Sequence, residues 1–152
     1  MSDDVADCLA CDLTAGRLRV PGGVIRDTEH WRVEHTVGPL GVGTLIVKPL
    51  RHVVHVAELS ADEAAELGTL LRTATAVVTE LLRPEQVYVC LWSHAGGEPG
   101  HIHFVVQPVS RAQMDAHGVY GPSLQVAMFA AGEEPAEPEV EAFCERARAA
   151  WP

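Results

Sequence analysis

Two histidines separated by one apolar residue, His101 and His103, stand in the run His101-Ile102-His103-Phe104-Val105-Val106-Gln107, directly after Gly96-Gly97-Glu98-Pro99-Gly100. In extended backbone alternate side chains share a face, so the two imidazoles project to one side about 7 Å apart. Val105 and Gln107 share that face, while Ile102, Phe104 and Val106 form a core-seeking face. An imidazole near neutrality can serve as nucleophile, proton carrier or metal ligand. A second chemical pair, Cys8 and Cys11, has the two-residue gap of zinc sites and of redox motifs. No thioredoxin-like βαβ pattern follows it, and a reduced, metal-free pair is the third reading. Cys90 and Cys144 read as small core residues.

The elements that must position these groups are legible from pattern. Residues 1–22 form a loop-rich start closed by Pro21-Gly22-Gly23. Short strands are predicted over 24–26 and 31–36, split by a turn at Asp27-Thr28-Glu29. The stretch 37–43 is turn chemistry, and 44–47 is a buried strand ending before Pro49. Ser60-Ala61-Asp62-Glu63 is a capping box, in which hydroxyl and carboxylate each satisfy a free backbone N–H. Leu67, Leu70, Leu71, Ala74, Val77, Val78 and Leu81 then recur at helical spacing until Arg83-Pro84. Strands follow over 86–92 and 101–107 around a glycine-rich loop at 93–100. Ser110-Arg111-Ala112-Gln113 opens a short helix that Gly118 closes. An acidic loop at 133–139 leads into a last helix to about residue 150. Adjacent strands on short loops favour antiparallel pairing. The expected fold is therefore α+β: an antiparallel sheet of about five strands, one long helix and shorter C-terminal helices. Helices cover one sheet face, and the other must be covered or carry the site.

Composition sets outer limits. The 152 residues carry 11 basic and 21 acidic side chains, a formal net charge of -10, and Lys48 is the only lysine. A duplex-nucleic-acid partner needs a basic footprint, so none is expected. No apolar run approaches the roughly 20 residues of a membrane span, and no membrane partner is expected. The first residues lack the basic-then-apolar order of an export signal, so the expected location is the cytoplasm, with reduced thiols. The length fits one domain over 1–152, with a motif-bearing core at about 8–108 and a helical extension at 109–152.

Gly100-His101-Ile102-His103-Phe104-Val105-Val106-Gln107-Pro108 resembles the motif of the histidine-triad (HIT) family, in which three histidines alternate with apolar residues. The segment 44–52, ending Lys48-Pro49-Leu50-Arg51-His52, resembles the strand that precedes it. Cys8-Leu9-Ala10-Cys11 resembles the N-terminal pair of that family's zinc-bearing bacterial branch. The three motifs occur in the family's order over residues 8 to 108.

The resemblance implies a HIT-like fold and a nucleophile at the middle histidine, His103, that attacks a nucleotide α-phosphate. It also implies a structural Zn²⁺ held by Cys8, Cys11, His52 and His101. Four protein ligands leave no open position on zinc. Dinucleoside polyphosphates or nucleoside phosphoramidates are the implied substrates, and a homodimer is the implied assembly. Backbone N–H groups of the 96–100 loop, Gly97 among them, are the expected phosphate donors. The N-terminus of the helix opened by Ser110 is a further source.

The chain departs from the pattern at three places. The third histidine falls on Val105, which can neither donate nor accept a hydrogen bond. Gln107 shares that face but lies about 13 Å from His103 along an extended strand. The family's acidic ribose contact falls on Thr36, with Glu34 and His35 beside it. The loop before the triad offers Ser93 and His94 in place of an amide. The candidate substrate-binding residues are thus Ser93, His94, Gly97 and Gln107. Three readings stay open: a nucleotide hydrolase or nucleotidyl transferase, a nucleotide-binding protein with little catalysis, and a zinc-stabilised interaction module. His55 is a weak alternative ligand. His30 and His35 read as structural or solvent-facing, and His117 as a helix-end residue.

Overall fold

The computed structural model describes residues 5–152. It opens with α1 (Leu9–Thr14), then β1 (Val24–Asp27), β2 (Trp31–His35) and β3 (Leu45–Pro49). A 3-10 turn at Val56–Glu58 leads to α2 (Ala61–Leu82) and β4 (Gln86–Leu91). Two short strands, β5 (His94–Ala95) and β6 (Glu98–Pro99), form a separate hairpin before β7 (Phe104–Val109). Three helices close the chain: α3 (Arg111–His117), α4 (Pro122–Ala131) and α5 (Glu137–Ala150). The five main strands pair antiparallel in the order β1-β2-β3-β7-β4. This is the expected α+β architecture. The glycine-rich loop is a hairpin rather than irregular, and α1 and α4 are helices that periodicity missed.

Local chemistry accounts for the boundaries. Ser60 accepts from the Glu63 N–H, the Glu63 carboxylate accepts from the Ser60 N–H, and Arg83 ends α2 in the left-handed region at φ 46°. The Ser110 box opens α3 in the same way, and Gly118 ends it at φ 68°. β7 begins at Phe104 rather than at the predicted 101, because its pairing with both neighbours, β3 and β4, ends at that residue. Its ladder with β3 ends at Val47↔Phe104. Residues 101–103 stay extended but off the ladder, and the Ile102 N–H donates instead to the Val53 carbonyl. β7 also runs on through Pro108, where β3 no longer accompanies it, and proline is tolerated at such a local edge.

The two sheet faces are buried differently. Trp31, Val33, Leu45, Val47 and Val106 meet Leu70, Ala74, Val77 and Val78 of α2 and Val140, Phe143, Cys144 and Ala147 of α5. This is the main core. His35 belongs to it: its Nδ1–H donates to the Thr36 carbonyl, its Nε2 accepts from the Gly43 N–H, and its ring stands edge-on to Phe143. The opposite face is covered in two places. Leu124 and Met128 of α4 pack on Val105, Val109 and Leu40. At the other end α1 lies over β2 and β3, held where Arg32 donates to the Thr14 carbonyl and Lys48 to the Ala10 carbonyl. A cleft remains between them.

Candidate active site and metal centre

Cys8 precedes α1, Cys11 lies within it, His52 follows the β3 turn, and His101 precedes β7. The fold gathers these four so that one ligand atom from each lies within 4.8 Å of every other. The Cys11 sulfur is 3.4 Å from His52 Nδ1 and 3.6 Å from His101 Nδ1, and the Cys8 sulfur is 3.8 Å from His101 Nδ1. Zinc–sulfur and zinc–nitrogen bonds of about 2.3 and 2.05 Å at tetrahedral angles make sulfur–nitrogen edges of about 3.6 Å. The donor set therefore fits zinc in element and in spacing.

The tautomer of His101 is defined by its far side. The Pro49 carbonyl, 3.0 Å from Nε2, can only accept, so Nε2 carries the proton and Nδ1 offers its lone pair to the cysteines. Burial, opposed in part by that carbonyl, pushes the His101 pKa down to about 4, which keeps the ring neutral near pH 7.

His103 is half-buried and follows the same logic with the opposite nitrogen. Its Nδ1 lies 3.0 Å from the His101 carbonyl, so Nδ1 is the protonated nitrogen and Nε2 holds the lone pair. His103 faces a cleft of about 500 Å³, lined also by Glu34, Ile46, Lys48, His94, Gly100 and the segment 5–10. A larger groove of about 890 Å³ lies elsewhere, among Arg17, Arg19, Arg32 and Arg148. It holds no imidazole, and Arg19 and Arg148 are engaged by Glu137, Glu141 and the Gly22 carbonyl. The imidazoles of His52, His94, His101 and His103 line the smaller cleft.

Of the four expected substrate contacts, only His94 lines the cleft. Ser93 and Gly97 do not. The Gly100 N–H is bonded to the Ser93 carbonyl in the hairpin, so the loop does not present it to an anion. Gln107 lies apart from the cleft. It is fully buried under α4, accepts from Gln125 and directs its amide N–H groups to Leu40 and Met128. The N-terminus of α3 also lies outside the cleft. His55 is exposed and caps the 3-10 turn.

Val105, where the resemblance would put a third histidine, lies under α4. Val105 is 3% exposed within the apolar cluster of Leu40, Val109, Leu124 and Met128. A helix covers what an open imidazole would need. Sequence reading missed Lys48 and the segment 5–10 as cleft groups, and the only signal for Lys48 was its being the sole lysine.

No family model matches the chain, and no curated protein does. Solved structures do. A histidine-triad nucleotide-binding protein of Sulfolobus tokodaii superposes with a TM-score of 0.70 at 15% identity, over 94% of this chain and 91% of that one. A zinc-bound histidine-triad protein of Mycobacterium smegmatis gives 0.67 at 17% identity, over 95% and 93%. A HIT-like protein of Bartonella henselae gives 0.72 at 12% identity, over 96% and 97%. The chain therefore has the histidine-triad fold.

Proposed function

We propose that the chain is a nucleotide hydrolase or nucleotidyl transferase with His103 as nucleophile. The observation that carries this reading is the His103 tautomer, which leaves Nε2 with its lone pair beside the cleft. Nε2 attacks the α-phosphorus of a dinucleoside polyphosphate or nucleoside phosphoramidate. The bond from phosphorus to the leaving oxygen or nitrogen breaks as the phosphorus–nitrogen bond to His103 forms. Water or another acceptor then displaces His103, which departs with its electron pair and is ready again. One difficult displacement becomes two easier ones. As positive charge develops on the ring, the His101 carbonyl stabilises Nδ1–H.

Cys8, Cys11, His52 and His101 would hold Zn²⁺. When bound it supplies structural closure, not an open coordination site, and ties the N-terminal segment to the strand bearing His103. The shared fold with a zinc-bound histidine-triad protein supports this reading. We further propose a cytoplasmic homodimer and a single domain over 1–152. Among the described residues no helix is long and apolar enough to cross a membrane.

Rapid-quench mass spectrometry with diadenosine tetraphosphate tests the mechanism. A nucleotidyl adduct on His103 is expected within the first turnover. The buried Val105 favours a second reading, nucleotide binding with weak catalysis. Calorimetry separates the two: tight mononucleotide binding, unchanged in His103→Ala and without turnover, supports the second.

A further inference from the structure

The metal set and the cleft share a wall. Residues 5–10 and Leu13 line the cleft, and Ala10 lies between the ligands Cys8 and Cys11. α1 has six residues, too few to persist alone in water, so its position depends on what ties it to the sheet. One tie is Lys48. Its Nζ donates to the Ala10 carbonyl at 3.0 Å and to Glu34 Oε1 at 2.5 Å, and both side chains of the ion pair are about fully buried, at 1% and 2% exposure. A buried ammonium is retained when it is paired and hydrogen-bonded, and these two acceptors do both.

The same carboxylate has an open end. Glu34 Oε2 is buried and has no hydrogen-bond partner among the described residues, and Glu34 lines the cleft. Lys48 already balances the charge, so the group that fits Oε2 is a neutral N–H or O–H, not a second cation. Glu34 pairs across the sheet with Ile46, and Ile46 with Val105. Two strand spacings, about 10 Å, thus separate Glu34 from β7, and His103 lies two residues before Val105. A ligand with its phosphate at His103 meets Glu34 with its nucleoside part.

Resting on the nucleotide reading of the cleft, we propose that the Glu34–Lys48 pair couples the cleft to the metal set. Glu34 Oε2 accepts a hydrogen bond from a neutral hydroxyl or amino group of the bound nucleotide. Lys48 holds the Cys8–Cys11 segment through Ala10. Each site, when filled, therefore tightens the other by the same factor.

The test is a binding cycle on the full chain. Zinc affinity is measured by chelator competition with and without saturating AMP, and AMP affinity by calorimetry with and without zinc. A reciprocal gain of about five- to a hundredfold is expected. The neutral pair Glu34→Gln with Lys48→Met, with folding checked by circular dichroism, should bring that gain close to one. Dideoxy-AMP and IMP identify the donor: the gain disappears with the first if hydroxyls supply it, and with the second if the amino group does. A gain near one in the unmodified protein overturns the coupling. An equal gain in the double variant, or full retention with both analogues, overturns the role of Glu34. Failure of AMP to bind the zinc-loaded protein overturns the nucleotide reading and this proposal together.

Discussion

The Nδ1–H of His103 donates to the backbone carbonyl of His101, 3.0 Å away. One residue thus turns its imidazole toward the cysteines and its carbonyl toward the proposed nucleophile. The Cys/His cluster and the free nitrogen of His103 are joined by a single stretch of extended chain. His101 is itself fixed by the Pro49 carbonyl, so the geometry of His103 is inherited from β3.

Replacing His103 should separate chemistry from structure. Among the described residues its ring hydrogen-bonds only to backbone, and it lies outside the proposed ligand set. His103→Ala is expected to keep zinc content and melting temperature while lowering turnover at least about a thousandfold. Elemental analysis and steady-state kinetics on diadenosine tetraphosphate check both halves. Undiminished turnover would remove His103 from the mechanism.

Cys8→Ala should act the other way round. At a hundred to a thousand times its dissociation constant, a bound ligand stabilises by about 3–4 kcal/mol. In a domain of this size its loss lowers the melting temperature by roughly 10 °C. Calorimetric scans of the variant, and of the parent treated with chelator, should agree. A chelator that leaves the parent's melting temperature unchanged argues against a structural metal.

Valine at position 105 is set by packing, and restoring a histidine should not restore a triad. Val105→His places a polar ring among Leu124, Met128 and Val109. The expected cost is about 2–4 kcal/mol, with no gain in turnover. Urea titration and initial rates decide. A stable variant with faster turnover would show that α4 yields to an open third imidazole.

The core histidine His35 predicts acid sensitivity. Burial holds its pKa below the ordinary 6.5, the Thr36 carbonyl opposing only in part. Protonation would also turn Nε2 from an acceptor into a donor against the Gly43 N–H. The unfolded chain therefore binds the proton more readily, and stability rises with pH. The contribution is fully present above about 6.5 and is lost as pH falls toward the folded value. Denaturant midpoints measured from pH 7.5 downward should decline, and the decline should flatten in His35→Gln.

Gly43 is required by its neighbours as well as by its backbone. At φ 88° it occupies the left-handed region, and an added Cβ would lie 2.3 Å from Leu82 Cδ1 and 3.2 Å from Phe143 Cε2. Gly43→Ala should cost about 2–4 kcal/mol. A midpoint within experimental error of the parent's would show that the β2–β3 turn relaxes freely.

The sequence by itself determined the five strands, the long helix and both capping boxes, because these rest on short-range pattern and local hydrogen bonding. Type and spacing also singled out Cys8 with Cys11 and His101 with His103, while His52 as a ligand and His103 as nucleophile came only from the family resemblance. Only the tertiary structure decided which groups share a space. Gln107 alternates onto the same face as His103, yet α4 lies over it, and nothing in an alternating pattern tells which part of a face will be covered. Ser93, Gly97 and the α3 terminus do not line the cleft, a placement that spacing does not encode. Glu34 and Lys48 meet because β2 and β3 pair in one register, and Ala10 joins them because a six-residue helix docks on that spot. Residue identity and period are local properties of the chain. Coverage of a sheet face is a property of long-range packing, and it is there that the cleft was made.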